Sequence, residues 1–477
     1  MKLFCSRGAF FLLVLILSAC AMGPDYEKPE VPVPDAFQQP IIPGASIANL
    51  KWWELFHNEE LTRLIEAALI NNKEMAIAMA RIEEARATLG FVRADQFPNL
   101  DGTAGATRGN LIPGAGLPGS INETFVLAAN LSFELDLWGK LRRSTEAARA
   151  ELLATVEARN VVTITLISDV ASVYLLLLDL DERVSIAHRT VKTRQDSLDI
   201  IQARFDHGTV PLIDVNQAQI ELADAAAQLA ALKREGQRAE NLLGVLLGQN
   251  PGPIIRTRGN EDTLFPPEIP AGLPSELLER RPDVRQASQQ LAAQTARIGV
   301  AEALRFPSLS LTGTFGLAST DLNNFFSGDN QAWGLSANLL GPIFDAGRNK
   351  SRVEAERART VQLLNNYELV VLRAFQEVED SLIDISTYRD EAHARDRQVV
   401  AARSASKLSL ARYNGGVTSY LEVLESDRSL FRAELLSSST SRQQLVAIIS
   451  LYKALGGGWL TEEETVAVQA ESVASDP

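Results

Sequence analysis

The side chains that could do chemistry in this chain are few, and they do not form a catalytic set. The four histidines are scattered along the sequence, at His57, His188, His207 and His393. No two of them have the spacing of metal ligands, no glycine-rich loop carries the Lys and Ser/Thr of a phosphate site, and no serine stands in a nucleophile setting. The sequence therefore predicts no metal, no cofactor and no enzyme.

One residue does predict a covalent modification. Cys20 directly follows the small pair Ser18-Ala19, after a positively charged start and a short apolar run. This pattern is that of a bacterial lipobox, which predicts a signal peptide over residues 1–19, a diacylglycerol on the Cys20 thiol and a further acyl chain, such as palmitate, on the new amine. Several acyl chains anchor a protein stably to a membrane. Ala21, rather than Asp, favours sorting to the outer membrane. A plain signal peptide that contains a cysteine is the alternative.

Composition excludes several classes of protein. The 477 residues could hold two or three domains, and the hydrophobic content of 46% is that of an ordinary folded chain. The net charge of −14 disfavours nucleic acid as a partner, because phosphate binding needs a basic surface. Cys5 leaves with the signal peptide and Cys20 carries lipid, so the mature chain is predicted to lack thiol and disulfide chemistry.

The longest predicted element is a helix over residues 140–206. Its apolar residues fall at alternating steps of four and three, with Arg194 filling the one gap: Leu166, Val170, Val173, Leu177, Leu180, Val184, Ala187, Val191, Leu198, Ile201 and Phe205. This heptad seam predicts packing against other helices along a rod of roughly 100 Å. A tight turn over 207–211 and a second helix follow, so the chain is predicted to form a long helical hairpin.

The whole chain is one unit written twice. Residues 203–208 match residues 411–416 at an offset of 208, and Phe97-Pro98-Asn99-Leu100 matches Phe306-Pro307-Ser308-Leu309 at an offset of 209. Each repeat, 58–249 and 275–458, is predicted to contain a helix, a β-hairpin (100–137; 308–345), a long helix (140–206; 347–413) and a return helix (212–247; 420–455). The rest is a lipidated, extended leader (20–57), a linker (250–274) and an acidic tail (459–477).

Alternating apolar and polar residues predict two strands in each repeat, for example from Phe125 to Leu137. About ten residues is the length that crosses an outer membrane, and the gaps 110–123 and 319–331 are predicted as long loops. A soluble β-sandwich is the alternative. Four strands cannot close a membrane barrel, because the smallest have about eight strands and an open edge in lipid leaves backbone groups unsatisfied. We therefore predict a mainly α chain with four transmembrane strands, whose barrel closes by oligomerisation; the helices favour three copies over two.

One apolar stretch, residues 161–178, is long enough to cross a membrane as a helix. It contains Asp169, however, and its repeat partner 369–386 carries five charged residues. Two copies of one structure should share one solvent, so we predict helix packing rather than lipid around this stretch. The seam of the second repeat is weaker, with Ser and Arg at several core positions.

These motifs together resemble a known family over nearly the whole mature chain. They are Cys20 with Gly23-Pro24-Asp25-Tyr26, Trp52-Trp53, Arg280-Arg281-Pro282-Asp283-Val284, Ala296-Arg297-Ile298-Gly299-Val300-Ala301, Phe306-Pro307-Ser308-Leu309 and Tyr420-Leu421-Glu422-Val423-Leu424. The chain resembles the lipoprotein branch of the TolC-like outer membrane factors, the NodT-type efflux lipoproteins.

The resemblance implies a homotrimer with a twelve-strand barrel in the outer membrane, continuous with a helical tunnel (an α-barrel) in the periplasm. It implies a passive exit duct for small toxic compounds, as in multidrug resistance, working with a periplasmic adaptor (membrane fusion) protein and an inner-membrane RND transporter. Two other functions stay open at this point. One is a channel for protein secretion with an ATP-driven partner, and the other is a periplasmic coiled-coil scaffold lipoprotein without a pore.

The two hairpin tips are the first candidate site: Gly208, Thr209, Val210, Pro211, Gly415, Gly416, Val417, Thr418 and Ser419. Glycine permits the sharp reversal, Pro211 suits a first helical turn, and Ser419 with Glu422 has the spacing of a capping box. A role in the turn alone is one reading of these residues; the resemblance implies that they also contact the adaptor.

The second candidate site is a gate made of Leu421, Glu425 and Arg428, which lie at steps of four and three on one helix face. The resemblance places matching positions at the constricted periplasmic entrance, although the family commonly has Asp where this chain has Glu425. Three-fold repetition would turn one Leu into an apolar ring and one Glu into an acidic ring, and such rings close or select in pores. Arg428 would tie the closed state by a salt bridge. A solvated helix face is the alternative reading of the three residues. The first repeat has Ile213, Gln217 and Ile220 at the matching positions.

Overall fold

The computed structural model describes residues 21–34, 36–38, 57–111, 118–256 and 277–458. The predicted signal peptide, Cys20, Trp52-Trp53, most of the predicted linker and the acidic tail lie outside these residues. The chain divides into two compact units, and each unit contains parts of both repeats. Unit 1 comprises Met1–Glu30, Ala80–Val156 and Gln286–Leu369, and unit 2 comprises Val31–Met79, Glu157–Arg285 and Val370–Pro477.

The helices and strands follow the same order in both repeats. The first repeat has α1 (Glu59–Asn71), α2 (Lys73–Ala94), β1 (Asn99–Leu111), β2 (Pro118–Leu135), α3 (Lys140–Asp206) and α4 (Leu212–Leu246). The second has α5 (Leu277–Arg280), α6 (Pro282–Ala303), β3 (Ser308–Ser319), β4 (Gln331–Leu340), α7 (Arg348–Asn414) and α8 (Tyr420–Ala454). The long helices α3 and α7 both have 67 residues, and the return helices α4 and α8 both have 35. The predicted duplication and its long hairpins are confirmed.

The four strands form one antiparallel sheet in the order β1-β2-β3-β4. Its register places apolar partners on one face, since Leu131 lies opposite Leu100 and Gly313, and Gly313 lies opposite Leu335. Trp333 and Leu335 on this face are 80% and 77% exposed in the single chain. A soluble sandwich would bury such a face, so the exposure contradicts that alternative.

The other face of the sheet is polar and is held together by side-chain hydrogen bonds. The Asn130 amide donates to Thr103 Oγ1 at 2.8 Å, and the Thr314 hydroxyl donates to Asn130 Oδ1 at 3.0 Å. The hydroxyls of Thr312 and Ser336 lie 2.7 Å apart. The sheet therefore has the one-sided pattern of a strand set with one apolar and one aqueous side.

The prediction of a long loop over residues 110–123 is wrong. Strand β1 continues to Leu111 and strand β2 already begins at Pro118, so only 112–117 lie between them, outside the described residues. Ladder hydrogen bonds join backbone groups, and the polar residues at the start of β2 pair without an apolar pattern to reveal them. Between β3 and β4 the chain makes two short 3₁₀ turns, Leu322–Asn324 and Gly328–Asn330.

The predicted seam of α3 forms the centre of the apolar core in unit 2. Val170, Leu177 and Ile201 are at most 2% exposed, and Val184, Val191, Leu198 and Phe205 are half-buried. Among the described residues, α3 alone is apolar and long enough to cross a membrane, yet 67% of its apolar window is buried within the protein. This burial favours helix packing over a lipid-facing span.

Candidate functional site

Both hairpin tips are closed by the same backbone motif. After α3, the Gly208 N–H donates to the Phe205 carbonyl at 2.8 Å and the Thr209 N–H to the Arg204 carbonyl at 2.9 Å. Gly416 and its neighbour make the matching pair of bonds after α7. The φ angles of Gly208 and Gly416 are +73° and +71°, in the left-handed region that favours glycine, as the Schellman motif requires.

The structure places all nine predicted tip residues in these two turns, but it corrects two details of their roles. Ser419 is the N-cap residue of α8 and its side chain makes no capping hydrogen bond. The carboxylate of Glu422 instead contacts the Thr418 hydroxyl and lies 3.5 Å from Arg412 Nε. The predicted capping box is therefore absent, because Glu422 faces the turn rather than the Ser419 amide. Pro211 likewise stands just before the first helical residue of α4, as its N-cap.

A small apolar cluster lies next to the tips and joins three helices. Its buried members are Ile201 of α3, Val215 and Ala218 of α4, and Tyr420, Val423 and Leu424 of α8. The Tyr420 ring lies 5.3 Å from that of Tyr413 at the end of α7. Burial, with a contribution from nearby carboxylates, raises the pKa of Tyr420 to about 12, so this phenol stays neutral. The cluster fixes the start of α8 against α3 and α4.

The three predicted gate residues lie directly above this cluster on the exposed side of α8. Leu421 is 55% exposed and is not one of the buried members of the cluster. The guanidinium of Arg428 lies 3.6 Å from the Glu425 carboxylate, measured from Nη1 to Oε2. The structure thus brings Glu425 and Arg428 together and leaves the Leu421 side chain open to solvent in the single chain.

Arg428 has a second and closer partner, which lies outside the predicted gate. Its Nε and Nη2 atoms lie 2.6 and 2.5 Å from Oε1 of Glu221 on α4. The hydrogen bond to Glu221, together with the charges of Glu221 and Glu425, raises the pKa of Arg428. Arg428 is therefore tied first to the first repeat and only then to its neighbour on its own helix.

Glu221 is the centre of a charged network among largely apolar surroundings. Its carboxylate is buried, and its other oxygen lies 3.2 Å from Nη2 of Arg194, which is buried as well. Arg194 Nη1 also donates to the Glu221 carbonyl at 2.5 Å, and its guanidinium lies 5.3 Å from the centre of the Phe431 ring. In the sequence, the only sign of this buried carboxylate is Arg194, because an arginine at a position of the apolar seam needs a buried carboxylate as its partner.

The second hairpin is joined near its tip by polar contacts. The Ser406 hydroxyl of α7 donates to Asp427 Oδ1 of α8 at 2.6 Å, and the hydroxyls of Ser409 and Ser426 lie 2.5 Å apart. Burial raises the pKa of Asp427, with a further contribution from the charge of Glu221. These contacts take the place that apolar side chains have in the first hairpin.

The residues that follow the predicted lipid site are bound tightly in unit 1. The Met22 N–H donates to the Trp138 carbonyl at 3.0 Å, and Arg143 Nε donates to the Met22 carbonyl at 3.1 Å. Arg143 Nη2 reaches the Asp25 carboxylate at 2.7 Å. A Cβ at Gly299 would lie 2.4 Å from the Met22 oxygen, so glycine is needed there for the close approach. Cys20 itself lies outside the described residues.

Comparison with known proteins decides the family. Residues 64–249 and 273–457 match the family model described as outer membrane efflux protein, which is most of both repeats. The chain belongs to the outer membrane efflux protein family. Two relatives are the cation efflux system protein CusC of Escherichia coli O6:H1 (35% identical, covering 94% of this chain and 98% of CusC) and the outer membrane protein OprJ of Pseudomonas aeruginosa (35%, 94% and 95%).

A solved structure agrees with the family at the level of the fold. The open state of the MtrE outer membrane channel of Neisseria gonorrhoeae has a TM-score of 0.83 and 31% identity, covering 92% of this chain and 99% of MtrE. The predicted fold class, the outer membrane location with extension into the periplasm, and the efflux function are confirmed. Members of this family are channel proteins rather than enzymes, so a scaffold without a pore is no longer a competing function.

Within the described residues, no group of three or more His, Cys, Asp or Glu side chains is arranged to hold a metal ion. Many carboxylates there are paired with arginines, such as Asp181 and Glu240 with Arg256, each at 2.6 Å. Guanidinium groups occupy the positions around these carboxylates, so the chemistry of the site is that of charge pairing.

Proposed function

We propose that three copies of this chain close one barrel and form the outer membrane exit duct of a tripartite efflux pump. One observation carries this proposal: a four-stranded sheet with one exposed apolar face has two unpaired edges, β1 and β4. Unpaired strand edges are not tolerated in the hydrocarbon region, and four strands are half the number in the smallest membrane barrels. Further copies satisfy both requirements.

The duct conducts small toxic compounds passively, and the energy comes from an inner-membrane RND transporter reached through a periplasmic adaptor. A conduit of this kind needs no metal, cofactor or catalytic group of its own. The exposed tip turns, including Val417 at 71% exposure, offer a surface for the helices of the adaptor. Acylation of Cys20 adds the membrane anchor, and the tight binding of Met22 and Asp25 keeps that anchor close to unit 1.

The gate consists of Leu421, Glu425 and Arg428 at the periplasmic entrance, with Glu221 as the partner that holds Arg428. The exposure of Leu421 and the salt bridges of Arg428 support this assignment. Repeated three times, the leucine makes an apolar ring and the glutamate an acidic ring. An exposed bridge contributes only about 0–1 kcal/mol, so the buried carboxylate of Glu221 supplies the stronger hold on Arg428.

The duct is tested with the purified full-length protein. We expect a trimer that resists SDS until it is heated, and discrete conductance steps in planar lipid bilayers. A protein that stays monomeric in detergent, or trimers that carry no current, would refute the duct.

The gate is tested separately in the same bilayers. The double variant Leu421→Ala with Glu425→Ala removes both rings, so its single-channel current and the entry of antibiotics into cells should rise. The matched control is Ile213→Ala with Gln217→Ala, at the counterpart positions of the first repeat. Unchanged current in the first variant would reject the gate while leaving the duct intact.

A further inference from the structure

The segment that follows strand β4, residues 341–347, exposes two large apolar side chains of unit 1. Ile343 is fully exposed and Phe344 is 89% exposed. Both stand directly after an edge strand, and no described residue covers them. Neighbouring exposed apolar side chains of this size are typical of a contact with another protein surface or with a membrane.

The backbone holds this segment in a fixed and strained conformation. Ala346 has a φ of +50° and is the only non-glycine residue in the left-handed region among the described residues. The Asp345 carboxylate accepts hydrogen bonds from the Gly347 and Asn349 amides at 3.0 and 3.1 Å, which ties the segment to the start of α7. Strain of this kind persists where the surroundings enforce it and clusters at functional positions. Phe344 is therefore presented outward by a rigid turn.

A cleft of about 940 Å³ lies beside the other edge strand, β1. Its apolar lining includes Phe91, Phe97, Pro98 and Leu141, and it adjoins Asn99, the first residue of β1. Phe91 and Phe97 are 74% and 58% exposed. Polar and charged residues, among them Asp95, Glu134 and Lys140, complete the lining. The cleft is thus a hollow with an exposed apolar part beside the β1 edge of the sheet, while Ile343 and Phe344 are exposed beyond the end of the β4 edge.

The chain itself shows how such a hollow is filled. Trp138, just after strand β2, stacks on Phe306 with ring centres 4.7 Å apart. Its indole N–H donates to the Pro307 carbonyl at 2.8 Å. Phe306-Pro307 precedes strand β3 and is the repeat counterpart of Phe97-Pro98 before β1. Within the chain, then, the residue after one strand covers the aromatic before the next strand.

We propose that Ile343 and Phe344 of one copy insert into the cleft around Phe97 and Pro98 of a second copy. This joint between copies rests on the proposed shared barrel. Strands β1 and β4 run in opposite directions in the sheet, so β4 of one copy can pair antiparallel with β1 of the next. Antiparallel pairing brings the end of β4 beside the start of β1, which sets the exposed turn of one copy against the open cleft of the other.

The joint is tested by cross-linking in the full-length protein in outer membranes. The double variant Phe344→Cys with Phe97→Cys is treated with an oxidant or a short bis-maleimide. We expect covalent dimers and trimers on a denaturing gel, and neither in the two single-cysteine variants. The matched control is Phe326→Cys with Phe97→Cys, because Phe326 is 80% exposed but lies between β3 and β4, at the opposite end of the hairpin. This control should not cross-link.

The oligomeric state is measured in parallel by light scattering of the purified, uncross-linked variants. Trimers that fail to cross-link through Phe344→Cys and Phe97→Cys would overturn the joint and leave the duct standing. Monomers would overturn both. As a second measurement, Phe344→Ala should lower the temperature at which the SDS-resistant trimer dissociates, whereas Phe326→Ala should not; equal dissociation temperatures for the two variants would also reject the joint.

Discussion

The two long hairpins have helices of equal length but bury different side chains. Helix α3 carries a continuous apolar seam in unit 2, with Val170 and Leu177 fully buried. Helix α7 has no buried residue between Ile383 and Leu408. Near the tip, its contacts with α8 include hydroxyls and Asp427 beside the Tyr413–Tyr420 ring pair. Apolar burial is the main favourable term in helix packing. We infer that the first hairpin is the fixed wall and the second is the part that yields when the duct opens.

The charged network follows the same division. Arg194 and Glu221 form a buried pair in the first hairpin, while their repeat counterparts in the second are Ala402 and Ser429. Glu221 reaches across to Arg428, the one member of the network that belongs to the second hairpin. The anchor, Glu221, therefore lies on the well-packed first hairpin, and the group that it holds, Arg428, lies on the less tightly packed second hairpin.

The largest effect is expected from Glu221→Ala. Removing the carboxylate leaves the buried guanidinium of Arg194 with only the exposed Asp224 carboxylate, at 3.6 Å, as a charge partner. Breaking a buried pair costs about 3–5 kcal/mol. It also releases Arg428, so channel current should rise together with the loss of stability. Thermal unfolding followed by circular dichroism and bilayer conductance measure the two effects.

The matched control is Ser429→Ala, at the counterpart position, which should change stability by less than about 0.5 kcal/mol. Glu221→Gln keeps the shape of the side chain and removes its charge. The stability of this variant should lie between those of Glu221→Ala and Ser429→Ala. If Glu221→Ala unfolds at the wild-type temperature, the buried pair contributes nothing and the inferred anchor is wrong.

The next effect separates the two seams directly. Leu177→Ala removes a fully buried side chain of α3 and should cost about 2–5 kcal/mol. Its counterpart Ile385 is only half-buried against the same core, so Ile385→Ala should cost clearly less. The midpoints of guanidinium unfolding of the two variants give the comparison. Equal losses would show that the second seam is as tight as the first.

Much of this fold could be predicted from the sequence because its signals are long and periodic. Every residue of the heptad from Leu166 to Phe205 is buried or half-buried on α3. The start of β2 could not be found in this way, because its polar residues pair through the backbone. Helices α1 and α5 were also not predicted, since α1 directly follows the leader and α5, with four residues, directly follows the Pro-rich linker.

For the candidate site, the sequence predicts which residues share a face of one helix, but not which residues of another helix they contact. Spacing along the chain placed Leu421, Glu425 and Arg428 on one face of α8, and the structure agrees with that placement. Spacing does not show which residue of another helix lies opposite, so Glu221, 207 positions before Arg428, was missed. The capping box failed for a related reason, because Glu422 had a nearer partner in the Thr418 hydroxyl.

The smallest effect concerns the pH dependence of the loose hairpin. Burial raises the pKa of Asp427 in the folded state, whereas an unfolded aspartate titrates near pH 3.9. Between these two values the folded protein binds more protons than the unfolded chain, so the free energy of unfolding falls as the pH rises. Asp427→Asn removes this loss and keeps a partner for Ser406, so it should stabilise the protein at neutral pH by up to about 1 kcal/mol, the scale of surface charge effects.

The measurement is the unfolding temperature of wild type and Asp427→Asn from pH 4 to pH 7, with the gap between them widening as the pH rises. The matched control is Gln219→Asp, which places a carboxylate at the exposed counterpart position of the first hairpin. A solvated carboxylate titrates alike in the folded and unfolded chain, so this variant should not change the pH dependence of the unfolding temperature. A gap that is constant with pH, or a slope in the control as large as that of wild type, would mean that the polar contact in the second hairpin imposes no burial cost on Asp427.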